Sequence, residues 1–155
     1  MSLLHLANQV IFGGIAAAGF GILFNCPPRI IGWCFASGAV ALAVRTVALD
    51  GGFSLPAASF FAALVVAGTD RAWRRAQSVR GSVIAVVGCI PMIPGSLAAK
   101  GLTHLFLLFE ASPSEGILPL TIALESLVIV ATTFAAIGTA LAIPALIFPF
   151  RQVET

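Results

Sequence analysis

A stripe of polar side chains in the last apolar segment is the first candidate for chemistry. Thr121, Glu125, Thr132 and Thr139 follow one another at separations of four, seven and seven residues, which places them within about 40° of one line along a helix. Glu125 lies roughly 9 Å inside its segment. Since a charge in lipid is costly, we expect this stripe to face protein or water. Glu125 is a candidate proton carrier and Thr132 a candidate substrate contact; the alternatives are a structural acid and threonines that join helices.

A second polar face precedes it. Ser96, Lys100, Thr103, His104 and Glu110 cover about 120° of one helical stretch. Ser96 stands where an N-cap is expected, and a helix N-terminus at membrane depth offers N–H groups and a positive dipole end to a carboxylate. Lys100 would add a full positive charge, and His104 is a candidate proton carrier. The alternative is a helix that lies at the membrane interface with its polar side in water.

The chain breaks its apolar pattern just before this face, at Pro91-Met92-Ile93-Pro94-Gly95-Ser96. Proline lacks the N–H that a helix needs, so a helix cannot continue unchanged through this segment. Broken helices at membrane depth hold substrates in many transporters. Pro91, Pro94, Gly95 and Ser96 are therefore candidate substrate-binding residues, and the alternative is a simple kink between packed helices.

The motifs of soluble enzymes are missing from the sequence. It contains no HExxH, nucleotide-binding loop, GxSxG or Rossmann fingerprint. Cys26, Cys34 and Cys89 have neither metal-site spacing nor an even number for disulfides. The net charge of +2 gives no indication of nucleic-acid binding. We expect no enzyme activity, no metal and no cofactor.

The composition of the chain indicates which kind of fold positions these residues. Hydrophobic residues make up 59% of the 155 residues and charged residues 9%, against about 25% charged residues in soluble domains. The mean hydropathy is +1.08. A soluble fold would expose apolar patches far beyond what a monomer tolerates. In lipid, the hydrogen bonds of the backbone must be made within the same segment, which favours helices. The predicted fold class is therefore all-α, a polytopic helical membrane protein. Residues 1–155 are predicted to form one transmembrane domain.

Five membrane-spanning segments are predicted from runs of about 20 apolar residues and from the turn residues between them. The fourth is too short on either side of its break, but residues 82–110 together reach about 43 Å, enough to cross with a break inside. The predicted spans are about 7–24, 30–49, 56–69, 82–110 broken at 91–96, and 119–143.

Positive residues predict the orientation of these spans. With five crossings, six of the eight Lys and Arg residues fall on one side: Arg29, Arg71, Arg74, Arg75, Arg80 and Arg151. The amino terminus is therefore predicted outside and the carboxyl terminus in the cytoplasm. The alternative is a re-entrant hairpin at Pro91–Ser96 with four crossings, which would move Arg151 outside. Arg45, near a span end, is expected to snorkel to the interface.

Small residues recur at four-residue spacing in the first two spans. Gly14 and Ala18, Ala17 and Gly21, and Gly32 and Ala36 form such pairs. They permit close helix packing and favour a homo- or hetero-oligomer, although pairs of this kind are common in membrane helices.

Three segments, in this order, resemble the short, YjjB-type subunit of split threonine/serine exporters. They are Gly19-Phe20-Gly21-Ile22-Leu23-Phe24-Asn25-Cys26-Pro27-Pro28-Arg29 with Gly32-Trp33-Cys34, the stretch Val83–Gly95 ending in Pro-x-x-Pro-Gly, and a last span that closes on Ile143-Pro144 before Arg151. The resemblance covers nearly the whole chain, which corresponds to the carboxyl-terminal half of fused family members.

The resemblance implies a bacterial inner-membrane exporter of threonine and serine, or of dicarboxylates such as succinate, that acts with a longer YjjP-type companion subunit. Its contacts would be this companion, the substrate and membrane lipids. Proton coupling is expected because no ATP-binding motif is present. The alternative function is a non-transporting scaffold that stabilises a partner carrying the substrate pathway.

Overall fold

The computed structural model describes residues 2–77, 83–110 and 117–147, and these form helices joined by short connections. The elements are α1 (Leu3–Leu23), α2 (Pro28–Asp50), α3 (Leu55–Gln77), α4 (Val83–Cys89), a 3₁₀ turn (Ile90–Met92), α5 (Gly95–Glu110) and α6 (Ile117–Ile147). The predicted all-α class is confirmed. Arg80 and Arg151, on which the orientation prediction partly depends, lie outside the described residues.

The first two helices end in Schellman motifs, which explains why the chain turns where it does. Asn25 adopts a positive φ of 57°, and the N–H of Cys26 donates to the carbonyl of Gly21 at 2.9 Å. At the end of α2, Gly52 has φ 86° and the N–H of Phe53 bonds the carbonyl of Ala48 at 3.1 Å. Both turns satisfy carbonyls that a helix end otherwise leaves without a partner.

Within the described residues, three single helices are long and apolar enough to cross a membrane: Leu3–Leu23, Pro28–Asp50 and, within α6, Ile117–Pro144. A fourth span results if the bent pair formed by Val83–Met92 and Gly95–Phe109 counts as one. The helix α3 is not among them, because Asp70 and Arg71 follow its apolar part within the same helix. The number of five crossings therefore stays a prediction.

The break predicted in the fourth span is confirmed. The two helical pieces on either side of it meet at a bend of 54°. Ile93 has an extended backbone, with φ −63° and ψ 124°, and this residue interrupts the helical hydrogen bonding. The prediction that Ser96 is the N-cap of the next helix is wrong. The carbonyl of Pro94 accepts the first helical bond, from the N–H of Ala98 at 3.0 Å, so α5 begins at Gly95 and Ser96 lies inside its first turn.

The short helix α4 lies in the middle of the bundle. It packs against α1, α2 and α3, while α6 packs against α3 and α5. Most of α4 is buried, including Ala85, Val87 and Cys89. Ser37 of α2 donates a hydrogen bond to the carbonyl of Ile84 at 3.1 Å. Large apolar side chains such as Phe12, Phe106 and Phe109 cover the outer surface, as expected for a protein whose solvent is lipid.

Small residues bring α1 and α2 into close contact. A Cβ on Gly38 would meet the Cβ of Ala17 and lie 2.5 Å from the carbonyl oxygen of Gly13, and one on Gly21 would lie 3.1 Å from Cys34 Sγ. The pair Ala17 and Gly21 thus serves packing within the chain. Gly32 has no neighbouring atom within 4 Å of such a Cβ.

Gly38→Ala is expected to destabilise the protein, because the backbone of α1 has to move away from the new methyl group. We expect a loss of about 1–3 kcal/mol, the usual cost of overpacking, measured as a lower melting temperature of the purified chain in detergent. Gly19→Ala is the matched control, since nothing lies within 4 Å of a Cβ there. Equal melting temperatures for the two variants would contradict the packing seen between α1 and α2.

Candidate substrate site at the helix break

The carbonyl of Met92 lies at the end of the 3₁₀ turn, where the extended Ile93 removes it from the regular helical pattern. Arg45 of α2 donates to this carbonyl from Nη1 at 2.7 Å. Arg45 is half-buried, and its Nε is buried with no hydrogen-bond partner. The expected snorkelling of Arg45 is therefore wrong: its side chain is engaged with the broken helix. A guanidinium satisfies a carbonyl that would otherwise be costly in an apolar surrounding.

A polar cavity of about 640 Å³ lies beside this contact. This volume is within the range of small-molecule binding sites. The cavity reaches from the beginning of α1 to the end of α2 and to the break. Its lining is formed by Ser2, His5, Gln9, Leu42, Arg45, Thr46, Leu49, Asp50 and Pro91.

Of the substrate-binding residues predicted from the sequence, Pro91 alone lines this cavity. Its neighbour Pro94 is buried, whereas Gly95 and Ser96 are exposed at the start of α5. Lys100 is also exposed and lies one turn into α5. The structure thus brings the break and the polar cavity together, and it leaves Lys100 on the outer side of α5.

His104 is half-buried and bonds through Nδ1 to the carbonyl of Lys100 at 2.8 Å. Since a carbonyl only accepts, Nδ1 carries the hydrogen in this bond. The other ring nitrogen, Nε2, takes no part in this bond.

The polar stripe of α6 faces outward from the chain. Thr121, Glu125, Thr132 and Thr139 are all exposed, whereas Ser126 and Thr133, about a third of a turn away around the helix, are buried. Each stripe threonine bonds a carbonyl of its own helix, as Thr132 does with Val128 at 2.7 Å and Thr139 with Ala135 at 2.7 Å. Glu125 and Thr132 therefore lie on a different surface from the cavity at the break.

A second, smaller cavity of about 140 Å³ contains a buried acid that the sequence pattern did not single out. Asp70 is 5% exposed and lines this cavity together with Trp33, Ser37 and Thr69. Trp33 and Arg45 are about 18 Å apart along α2. The two cavities therefore lie near opposite ends of α2, with α4 packed alongside.

Comparison with known proteins identifies the family. A family model described as "Threonine/Serine exporter, ThrE" matches residues 9–148. The chain belongs to this family. No solved structure matches it. The match extends from within α1 to the end of α6, so it includes the helix break, the smaller cavity and most of the lining of the larger one, except Ser2 and His5. The chain is thus a helical membrane protein of an exporter family, and that family is one of transporters, not enzymes.

Sequence reasoning missed two residues that line the larger cavity, Arg45 and His5. Arg45 is close to the end of a predicted span, which favours a snorkelling side chain, and His5 lies just before the first predicted span. One feature of the sequence does indicate Arg45. It is the one cation within the second apolar segment, and an ionisable residue in such a segment is a candidate functional residue. Its partner Met92 is 47 residues away, which no local pattern reveals.

Proposed function

We propose that this chain is the membrane subunit of a secondary exporter for small carboxylate-bearing metabolites, namely threonine and serine or a dicarboxylate such as succinate. The observation that carries the proposal is the broken helix beside the 640 Å³ polar cavity, with the Met92 carbonyl held by Arg45. Broken helices with polar backbone groups turned to a cavity are how many secondary transporters bind ions and substrates.

The substrate would bind at the break and move along α5 and α6. The positive end of α5 attracts a carboxylate, and the exposed Lys100 adds a charge near that end. Thr132 offers a hydroxyl on the outer face of α6. The proposed substrate-binding residues are Pro91, Pro94, Gly95, Ser96, Lys100 and Thr132.

Proton coupling is proposed for Glu125 and His104. Glu125 is the single ionisable residue in the sequence of α6, and it is exposed within an apolar segment. A carboxylate in an apolar segment is a default candidate for a functional role. His104 contributes Nε2, because Nδ1 is already engaged with Lys100.

A YjjP-type companion is proposed to cover the polar stripe of α6. Four polar side chains at one surface of an apolar helix are costly against lipid, and a partner helix or a water-filled path removes that cost. We also propose a bacterial inner-membrane location, with the amino terminus periplasmic and the carboxyl terminus cytoplasmic, from the distribution of positive residues.

A scaffold without its own substrate path is the second candidate function. The outward position of Glu125 and Thr132 favours it, since a stripe that serves only to hold a partner would also face outward. In this case the companion would carry the substrate, and the cavity at the break would have no role in transport.

Flux measurements decide between the two functions. We expect proteoliposomes that contain both this chain and its companion to export labelled threonine, serine or succinate when a proton gradient is imposed, and liposomes with either subunit alone to stay near background. Flux that requires both subunits but is insensitive to every polar residue of this chain would favour the scaffold. Absence of flux for all three labelled compounds in the complete complex would contradict the exporter proposal.

A further inference from the structure

The guanidinium of Arg45 bonds the chain through Nη1 and has a buried Nε without a hydrogen-bond partner. Nη1 donates to the carbonyl of Met92 at 2.7 Å. In a guanidinium, Nε and Nη2 form the edge that binds both oxygens of a carboxylate side by side. The bond to Met92 fixes the group from the other side and does not occupy that edge.

An N–H that is buried without an acceptor is an unfavourable arrangement, and a ligand that supplies the acceptor removes the penalty. Arg45 also lines the polar cavity. A carboxylate in the cavity would supply the missing acceptor when the Arg45 side chain turns its Nε–Nη2 edge toward it, and the resulting bond is charge-assisted and strong.

The same cavity contains an acid. Asp50, the last residue of α2, lines it, and so does Thr46 one turn earlier. Gln9 and His5 of α1 complete the polar lining. Opposite charges in the lining of one cavity favour a ligand that carries both charges, and the carboxylate of Asp50 disfavours a second negative charge on the ligand.

We propose that this cavity binds a small α-amino acid as its zwitterion, with the ligand carboxylate on the Nε–Nη2 edge of Arg45 and the ligand ammonium group at Asp50. The inference rests on the proposed export function and specifies its binding site and its preference for an amino acid over a dicarboxylate. Because the same guanidinium holds Met92, the bound carboxylate is joined through one side chain to the helix break.

The test is an equilibrium binding measurement on the full chain in detergent with four probes. L-threonine carries both charges, L-threoninamide lacks the carboxylate, N-acetyl-L-threonine lacks the ammonium group, and succinate carries two carboxylates. We expect L-threonine to bind most tightly. Each of the other three is expected to bind about 10- to 100-fold more weakly, as the loss of a charge-assisted contact predicts.

Variants assign the two contacts. Arg45→Gln is expected to weaken L-threonine binding about 10- to 100-fold and to remove the difference between L-threonine and L-threoninamide. Asp50→Asn is expected to remove the difference between L-threonine and N-acetyl-L-threonine. Arg45→Lys keeps the charge and serves if Arg45→Gln fails to fold. Arg29→Gln, which removes an exposed cation at the start of the same helix, is the matched control and should bind like the wild type.

Two results would overturn the inference: no binding of L-threonine by the wild type, or equal affinity for L-threonine and L-threoninamide. Threonine flux through the wild-type complex tests the export function separately. Flux that persists together with unchanged affinity in Arg45→Gln would reject this binding site and keep the function. Binding with the expected selectivity but no flux would keep the site and reject the function.

Discussion

Gradient-driven export is expected to fall to the level of empty vesicles when Glu125 is replaced by Gln. The amide has nearly the same size but cannot bind or release a proton, so a cycle that depends on Glu125 stops at the protonation step. Exchange of labelled for unlabelled substrate, without an imposed gradient, is expected to continue because the substrate contacts are intact. The measurement is uptake and counterflow of labelled substrate in proteoliposomes that contain the chain and its companion.

Two further variants control this experiment. Thr139→Val changes the same outward stripe but removes only a hydroxyl that bonds its own helix, so export should stay near the wild-type rate. Lys100→Ala is expected to lose both export and exchange, since the proposed role of Lys100 is to attract the substrate. Wild-type export by both Glu125→Gln and Lys100→Ala, in protein that inserts normally, would remove these residues from the mechanism.

The parts of this fold that the sequence predicts are those that depend on local chemistry. Pro91 and Pro94 lack the N–H groups that a continuous helix needs, and the break occurs there. The left-handed residues Asn25 and Gly52 end the first two helices close to the predicted span ends. Each of these features is decided by the residue itself and by its immediate neighbours.

The candidate site could be predicted only in part, because it depends on which helices meet. Helical spacing puts Glu125 and Thr132 on one face, but it does not say whether that face turns toward the bundle. The structure turns it outward. The contact between Arg45 and Met92 joins two helices, and the burial of Asp70 depends on packing of α2, α3 and α4 around it. Tertiary neighbours of this kind leave no periodic signal in the sequence.

Removal of the helix break is the second change that is expected to have a large effect on export. The double variant Pro91→Ala, Pro94→Ala is expected to join α4 and α5 into a straighter helix and to abolish export. Each Pro-to-Ala change favours a continuous helix by about 3 kcal/mol, and the new N–H groups restore helical hydrogen bonds. In a continuous helix the carbonyl of Met92 accepts from the N–H of Ser96, so Arg45 loses its acceptor and the cavity loses its wall at the break.

The change in shape is measurable with spin labels on Val83→Cys and Phe109→Cys, in a chain whose native Cys26, Cys34 and Cys89 are replaced by Ala. Straightening the 54° bend should increase the distance between the labels by roughly 5 Å, because the two helical pieces become collinear. Pro56→Ala is the control, since Pro56 lies in the first turn of α3, where proline is well accommodated. If the double variant shows the longer distance and still exports at the wild-type rate, the broken helix is not needed for transport. An unchanged distance would mean that the bend is held by the contact with Arg45 and by packing around α4, not by the two prolines.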